Sequence, residues 1–405
     1  MDPSAKRQII LNAFDMFSPS HLCFGQWRRG KDEVADKFGD LNYWTNLAQT
    51  LERGNINALI LADTFGQHDV YKGSAEPTIR TSCQFPMGDP VIPVTAMAAV
   101  TKKLGFIVTT STSYEAPFVI AKRFSTLDHL TKGRFGWNIV TSFKESAAKA
   151  VGVPYVEHDE RYAAADEYME LLYNAGIDFA AKHAEGIMIS GLSPHILAPR
   201  VAAIRHKAAD SGRDPRSVKI FAVITPIIGR ADEEAKAKYR KALEYASFEA
   251  GLAFFSGNAG IDLAKYDLDA EIRPDDANID GRVHSLVSSL KYRGNDIPSW
   301  TPRNIGKAMA IGGNGPVPVG SAARVADFLE EWVRIADLDG FNVGHVTSPG
   351  SFEDLVDLLV PELRRRGLHG HDGLLGDGIT LRERIYGADQ RHLRNDHFGS
   401  RYKYE

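Results

Sequence analysis

Apolar residues fall in short continuous runs, separated by longer stretches with helical spacing, and the two alternate along most of the chain. A short apolar run bounded by turn residues is what a strand buried on both faces of a parallel sheet presents. Seven such runs stand out, at residues 8–14, 57–62, 106–110, 135–140, 186–190, 219–225 and 340–346. Amphipathic spacing predicts helices over 41–53, 94–103, 118–130, 161–173, 196–211 and 352–366. Asp40 stands where a carboxylate can accept from the first free N–H groups of a helix, and Gly54 where a helix can end. This alternation predicts an α/β fold with a parallel sheet.

The order breaks once. The helix over 161–173 runs through Asn174, Ala175 and Gly176 into a second helical stretch that ends near Ala184, with no strand between them. Right-handed βα crossovers need a strand there. Either a shorter fold has joined two helices, or a block holding one strand has been deleted, or left out of this numbering, between Asn174 and Ala175. The regularity of the rest favours the second.

Loop lengths are unequal. Excursions over about 15–39, 63–93, 141–160 and 226–339 all leave the C-terminal ends of strands. In a (β/α)8 TIM barrel that face carries the active site, whereas the opposite face has short stabilising turns. The expectation is therefore one barrel domain spanning 1–405, with long insertions on its functional face.

Composition narrows the function classes. The net charge of -4 comes from acids and bases mixed along the chain, so no basic stripe supports nucleic-acid binding. No apolar run approaches a membrane span, and the polar start lacks a signal-peptide core, so a cytoplasmic enzyme is expected. Cys23 and Cys83 are the only cysteines, without CxxC spacing, which argues against disulfides or zinc.

Candidate chemistry gathers at strand ends. Asp63 closes the run Leu59-Ile60-Leu61-Ala62; a carboxylate there can orient a ligand or move a proton, or simply satisfy loop N–H groups. Thr109 begins a hydroxyl-rich stretch suited to an uncharged heterocycle, though Thr-rich strand ends also arise without a ligand. Asn138 interrupts an apolar strand and must find hydrogen-bond partners, on a neighbouring strand or on a ligand. His158 and Tyr162 lie one turn apart at a helix start, where donors suit a phosphate. His21 follows the first strand. Neither a metal-ligand spacing nor a Gly-x-Ser-x-Gly elbow is present, and Gly312-Gly313-Asn314-Gly315 matches no dinucleotide fingerprint. Hydroxyl, amide and imidazole groups without a nucleophile set favour chemistry carried by an organic cofactor.

Taken together, the chain resembles the flavin-dependent monooxygenases of the nitrilotriacetate monooxygenase component A, DszA-like and dimethyl-sulfide monooxygenase group, within the bacterial-luciferase-like superfamily. The resemblance rests on Leu51-Glu52-Arg53-Gly54, Ala62-Asp63, Ala96-Met97-Ala98-Ala99-Val100-Thr101 and Ser125-Thr126-Leu127-Asp128-His129-Leu130. It continues through Gly133-Arg134-Phe135-Gly136-Trp137-Asn138, His158-Asp159-Glu160-Arg161-Tyr162 and Pro349-Gly350-Ser351-Phe352. Leu11-Asn12-Ala13-Phe14-Asp15-Met16 and Gly73-Ser74-Ala75-Glu76 are most similar to the dimethyl-sulfide branch.

The resemblance implies a two-component enzyme. It would use FMNH2 from a separate flavin reductase, with O2, to oxygenate a small organic substrate, an organosulfur compound among the candidates. It places Asp63, Thr109, His158 and Tyr162 on FMN-contacting positions, with Asn138 on the same face. It also implies that the absent block holds strand five, a phosphate-binding serine and a mobile loop. His21 is the candidate catalytic group, and Phe24, Trp27 and Phe65 are candidate substrate walls. Homodimers or homotetramers are usual for the group. Two other readings stand beside it: a flavin-binding barrel without turnover, motivated by the break at Asn174/Ala175, and an F420- or flavin-dependent oxidoreductase.

Overall fold

In a computed structural model of the protein, which describes residues 7–30, 33–173, 183–272, 299–370 and 378–402, all seven expected strands form one parallel sheet. They are β1 (Ile10–Met16), β2 (Ala58–Ala62), β3 (Gly105–Ser111), β4 (Phe135–Val140), β5 (Gly186–Ile189) and β6 (Lys219–Ile224), with Gly340–Val343 last. Two short strands not expected from the sequence, β7 (Ile227–Gly229) and β8 (Val319–Ser321), pair parallel to each other outside that sheet. The last strand is therefore β9.

The order across the large sheet is β4-β3-β2-β1-β9-β6-β5. Its first and last strands meet in the middle, with Ile10 opposite Gly340 and Asn12 opposite Asn342. The sheet curls as a half-barrel; among the described residues its edges are β4 and β5. The expected closed eight-stranded barrel is thus seen in part, and the break at Asn174 and Ala175 lies outside the described residues.

Side chains alternate between the two faces, as period-two geometry requires. Leu11, Ala13, Leu59, Leu61, Phe106, Val108, Ile220 and Ala222 point to the helices and form the main core with Trp44, Leu47, Leu329 and Trp332. Phe14, Ile60, Ile107 and Val223 point the other way, into a second core built with Phe24, Phe254 and Phe255. The helices Phe248–Ala259 and Pro302–Met309, from the longest excursion, supply much of that second core. The same excursion holds Ala322–Ala336, which packs in the main core.

Local signals read from the sequence act as expected at several ends. Asp40 accepts from the Asn42 N–H to start the helix Leu41–Arg53, and Gly54 stops it. One boundary moves: Asp15, expected in the first loop, belongs to β1 and is fully buried.

Candidate active site

Three neighbouring strands bring the first group together. Thr109 on β3 sits directly opposite Asn138 on β4, and the Asn138 Nδ2 donates to Thr109 Oγ1 at 2.8 Å. One step further, Ser142 Oγ donates to Ser111 Oγ at 2.9 Å. Beside them, at the end of β2, the Asp63 Oδ1 accepts from the Thr64 N–H at 2.8 Å. Burial raises the Asp63 carboxyl to about pH 7, and Asp89 and Glu115 push it the same way. The Thr64 N–H and the Lys144 cation pull it down without cancelling the burial effect. A carboxyl that titrates near neutrality is suited to proton transfer.

A second group forms around the end of β1. The His345 Nε2 and Asp15 Oδ1 lie 2.7 Å apart, both side chains buried. His21 is buried beside them, its ring edge-on to Phe14 at 4.4 Å and 6.5 Å from the His345 ring. Burial lowers the His21 pKa to about 3; Asp15 works against that shift and His345 with it. His21 is therefore a neutral imidazole at ordinary pH. Spacing in the sequence shows no metal-ligand set, yet the fold brings ligand atoms of Asp15, His21 and His345 within 4.8 Å of one another.

Loop residues extend this group. The Gln84 Nε2 donates to the His21 carbonyl at 3.1 Å, and its Oε1 faces the His68 Nε2 at 3.1 Å. His68 rests on the helix Phe248–Ala259, edge-on to Phe254 at 5.3 Å. Gly257 makes that contact possible, because a Cβ there would run into the imidazole. Lys144, just past β4, is buried, with its Nζ 3.2 Å from the Gly66 carbonyl and 3.3 Å from the His68 Nε2. Gly66 lets the two loops meet, since a Cβ would collide with the Ala147 backbone.

With strand-end polar groups on a curled parallel sheet in view, comparison with known proteins decides the family. The luciferase-like monooxygenase profile matches residues 21–175 and 172–338. The chain belongs to the luciferase-like monooxygenase family. The dimethyl-sulfide monooxygenase of Hyphomicrobium sulfonivorans is 37% identical over 460 aligned positions, covering 98% of this chain and 94% of that one. The crystal structure of DmoA from the same organism overlays with a TM-score of 0.87 at 37% identity, covering 98% of this chain and 96% of that one. A riboflavin lyase solved with modified FMN and riboflavin is 29% identical, with a TM-score of 0.86 and coverage of 98% and 100%.

In this luciferase-like monooxygenase the remaining sequence candidates separate. His158 and Tyr162 do meet, with rings 4.9 Å apart at the start of the helix His158–Tyr173, and His158 Nδ1 lies 2.8 Å from Asp159. Tyr162 is 43% exposed, so it presents a surface rather than an enclosed pocket. Phe24 is fully buried against Phe254, at 5.1 Å between rings. Trp27 and Phe65 are partly exposed; the first donates to the Thr81 carbonyl at 3.3 Å and the second lies edge-on to Tyr114 at 5.5 Å. Sequence reasoning missed Asp15, His68, Gln84, Lys144 and His345. The position of His345, two residues past the last strand, is the one signal that points to it.

Proposed function

We propose that this protein is the oxygenase component of a two-component system. It uses FMN reduced by a separate flavin reductase, together with O2, to insert one oxygen atom into a small organosulfur substrate such as a thioether or sulfone. The observation that carries the reading is the uncharged Thr109–Asn138 pair, in the C-terminal halves of β3 and β4, with Asp63 just past the end of the adjacent β2. That donor set fits the uncharged, hydrogen-bonding edge of an isoalloxazine, and His158 with Tyr162 at a helix N-terminus suits the phosphate. Reduced FMN, when bound, supplies the electrons that activate O2.

The chain's own groups then orient and protect. Thr109 and Asn138 hold the ring edge, and Asp63 exchanges a proton near neutral pH. His21, kept neutral by burial, and the Asp15–His345 pair hold protons beside the reacting centre. Phe24 and Phe254, packed together in the second core, back the site with apolar surface that limits water, and the more exposed Trp27 and Phe65 are the walls open to a substrate.

The aligned length of 460 positions exceeds the 405 residues of this chain, and the family match divides at residues 172–175. Both support a block missing from the given sequence near Asn174 and Ala175, where the βα order breaks.

Titration with FMN, oxidised and reduced, tests this. Binding is expected, and Tyr162→Phe should weaken it about 5- to 10-fold, the effect of one lost hydrogen bond. An unchanged affinity removes Tyr162 from the site; no binding of either form contradicts the whole reading.

A further inference from the structure

Lys144 is only 7% exposed, and its ammonium has no carboxylate partner within ion-pair distance among the described residues. Buried charges in proteins are ordinarily paired, because an unpaired one forfeits its hydration without return. Its surroundings do not satisfy it. The Gln84 amide has a fixed orientation, since its Nε2 donates to the His21 carbonyl; its Oε1 therefore faces His68. An acceptor oxygen at 3.1 Å requires the His68 Nε2 to carry the proton. A protonated ring nitrogen cannot also accept from Lys144, 3.3 Å away. Of the three ammonium donors only one, toward the Gly66 carbonyl, has an acceptor.

The lysine is also held in place. Ser146 Oγ donates to the Gln67 carbonyl at 2.7 Å, and Gly66 is pressed onto the Ala147 backbone, so the two loops carrying Lys144 and His68 are tied together. This fixed cation lies four residues past the C-terminal end of β4, the end of the sheet at which Asp63 follows β2. Asp69 and Asp63 act on it from a distance and favour its charged form, but neither forms an ion pair with it. Burial lowers its pKa to about 8, which leaves most of the population charged at neutral pH.

We propose that Lys144 recognises an anionic head group on the substrate, a carboxylate or sulfonate, which supplies the missing counter-charge and accepts the two free N–H donors. This rests on the monooxygenase reading of the site and narrows it: the preferred organosulfur substrate carries a negative charge.

The test is a binding measurement on the FMN-saturated protein by ligand-observed NMR. Methylthioacetate, methylthioethanesulfonate and uncharged ethyl methyl sulfide are the probes. At least one anion should bind about 10- to 100-fold more tightly than the uncharged sulfide, as a charge-assisted hydrogen bond to a buried group allows. The two anions tell which head group is meant. Lys144→Met should erase the preference and Lys144→Arg retain part of it, with thermal melts checking that both variants fold. Equal affinities in the wild type overturn the proposal, whatever the variants do. So does a preference that survives in a folded Lys144→Met protein, or a loss of FMN affinity with the anion preference intact. Binding is read without turnover, so failure of the oxygenation reaction would show separately.

Discussion

Burial keeps the Asp63 carboxyl protonated up to about pH 7, well above its value in an unfolded chain. Between roughly pH 4 and pH 7 the folded state therefore binds more protons than the unfolded state, and stability falls as pH rises. Asp63→Asn removes that titration. It should be more stable than the wild type at pH 8, by up to about 4 kcal/mol for a shift of this size, and little different at pH 4. Denaturant unfolding at the two pH values checks this; equal pH slopes in both proteins would show that Asp63 ionises normally. At this scale the sequence was only partly legible. Asp63, Thr109 and Asn138 were visible because each ends or interrupts an apolar run. His68, Gln84 and Lys144 were not, since their meaning comes from contacts between loops after different strands.

Elements divide the sheet into two ends with different duties. At the N-terminal end, Arg205 on the helix Pro194–Asp210 donates to Asp337 at 2.7 Å and to Asp339 at 2.9 Å, and also to the Pro215 and Val218 carbonyls. Asp339 in turn accepts from the Ile220 N–H, so one guanidinium ties a helix to β6 and β9. Arg134, before β4, donates to the Ala98, Leu104 and Thr131 carbonyls in the same manner. Removing one partner of such a buried network is costly. Arg205→Met should lower stability by about 3 kcal/mol in urea unfolding while FMN affinity stays unchanged. A loss of under about 1 kcal/mol would show the network to be dispensable. The strands themselves were readable, because a run buried on both faces is continuously apolar. The three-residue β7 and β8 were not, being too short to show a period, and the helix Ala322–Ala336 was hidden inside a stretch read as one excursion.

At the scale of the molecule, the first and last strands of the large sheet, β1 and β9, pair at its centre, and the longest insertion lays a second apolar core over its inner face. This places Asp63, Thr109, Asn138, His21 and Lys144 toward one rim while the main core stays on the helix side. The function proposed for this rim makes a specific claim about chemistry: one atom of O2 enters the substrate. The decisive measurement supplies reduced FMN from a separate reductase, isotopically labelled O2 and an organosulfur substrate, and follows the label by mass spectrometry. The account predicts one labelled oxygen in the product, with the other appearing as water. Oxygenated product without label, or oxygen consumed only to hydrogen peroxide while the substrate is untouched, would contradict it.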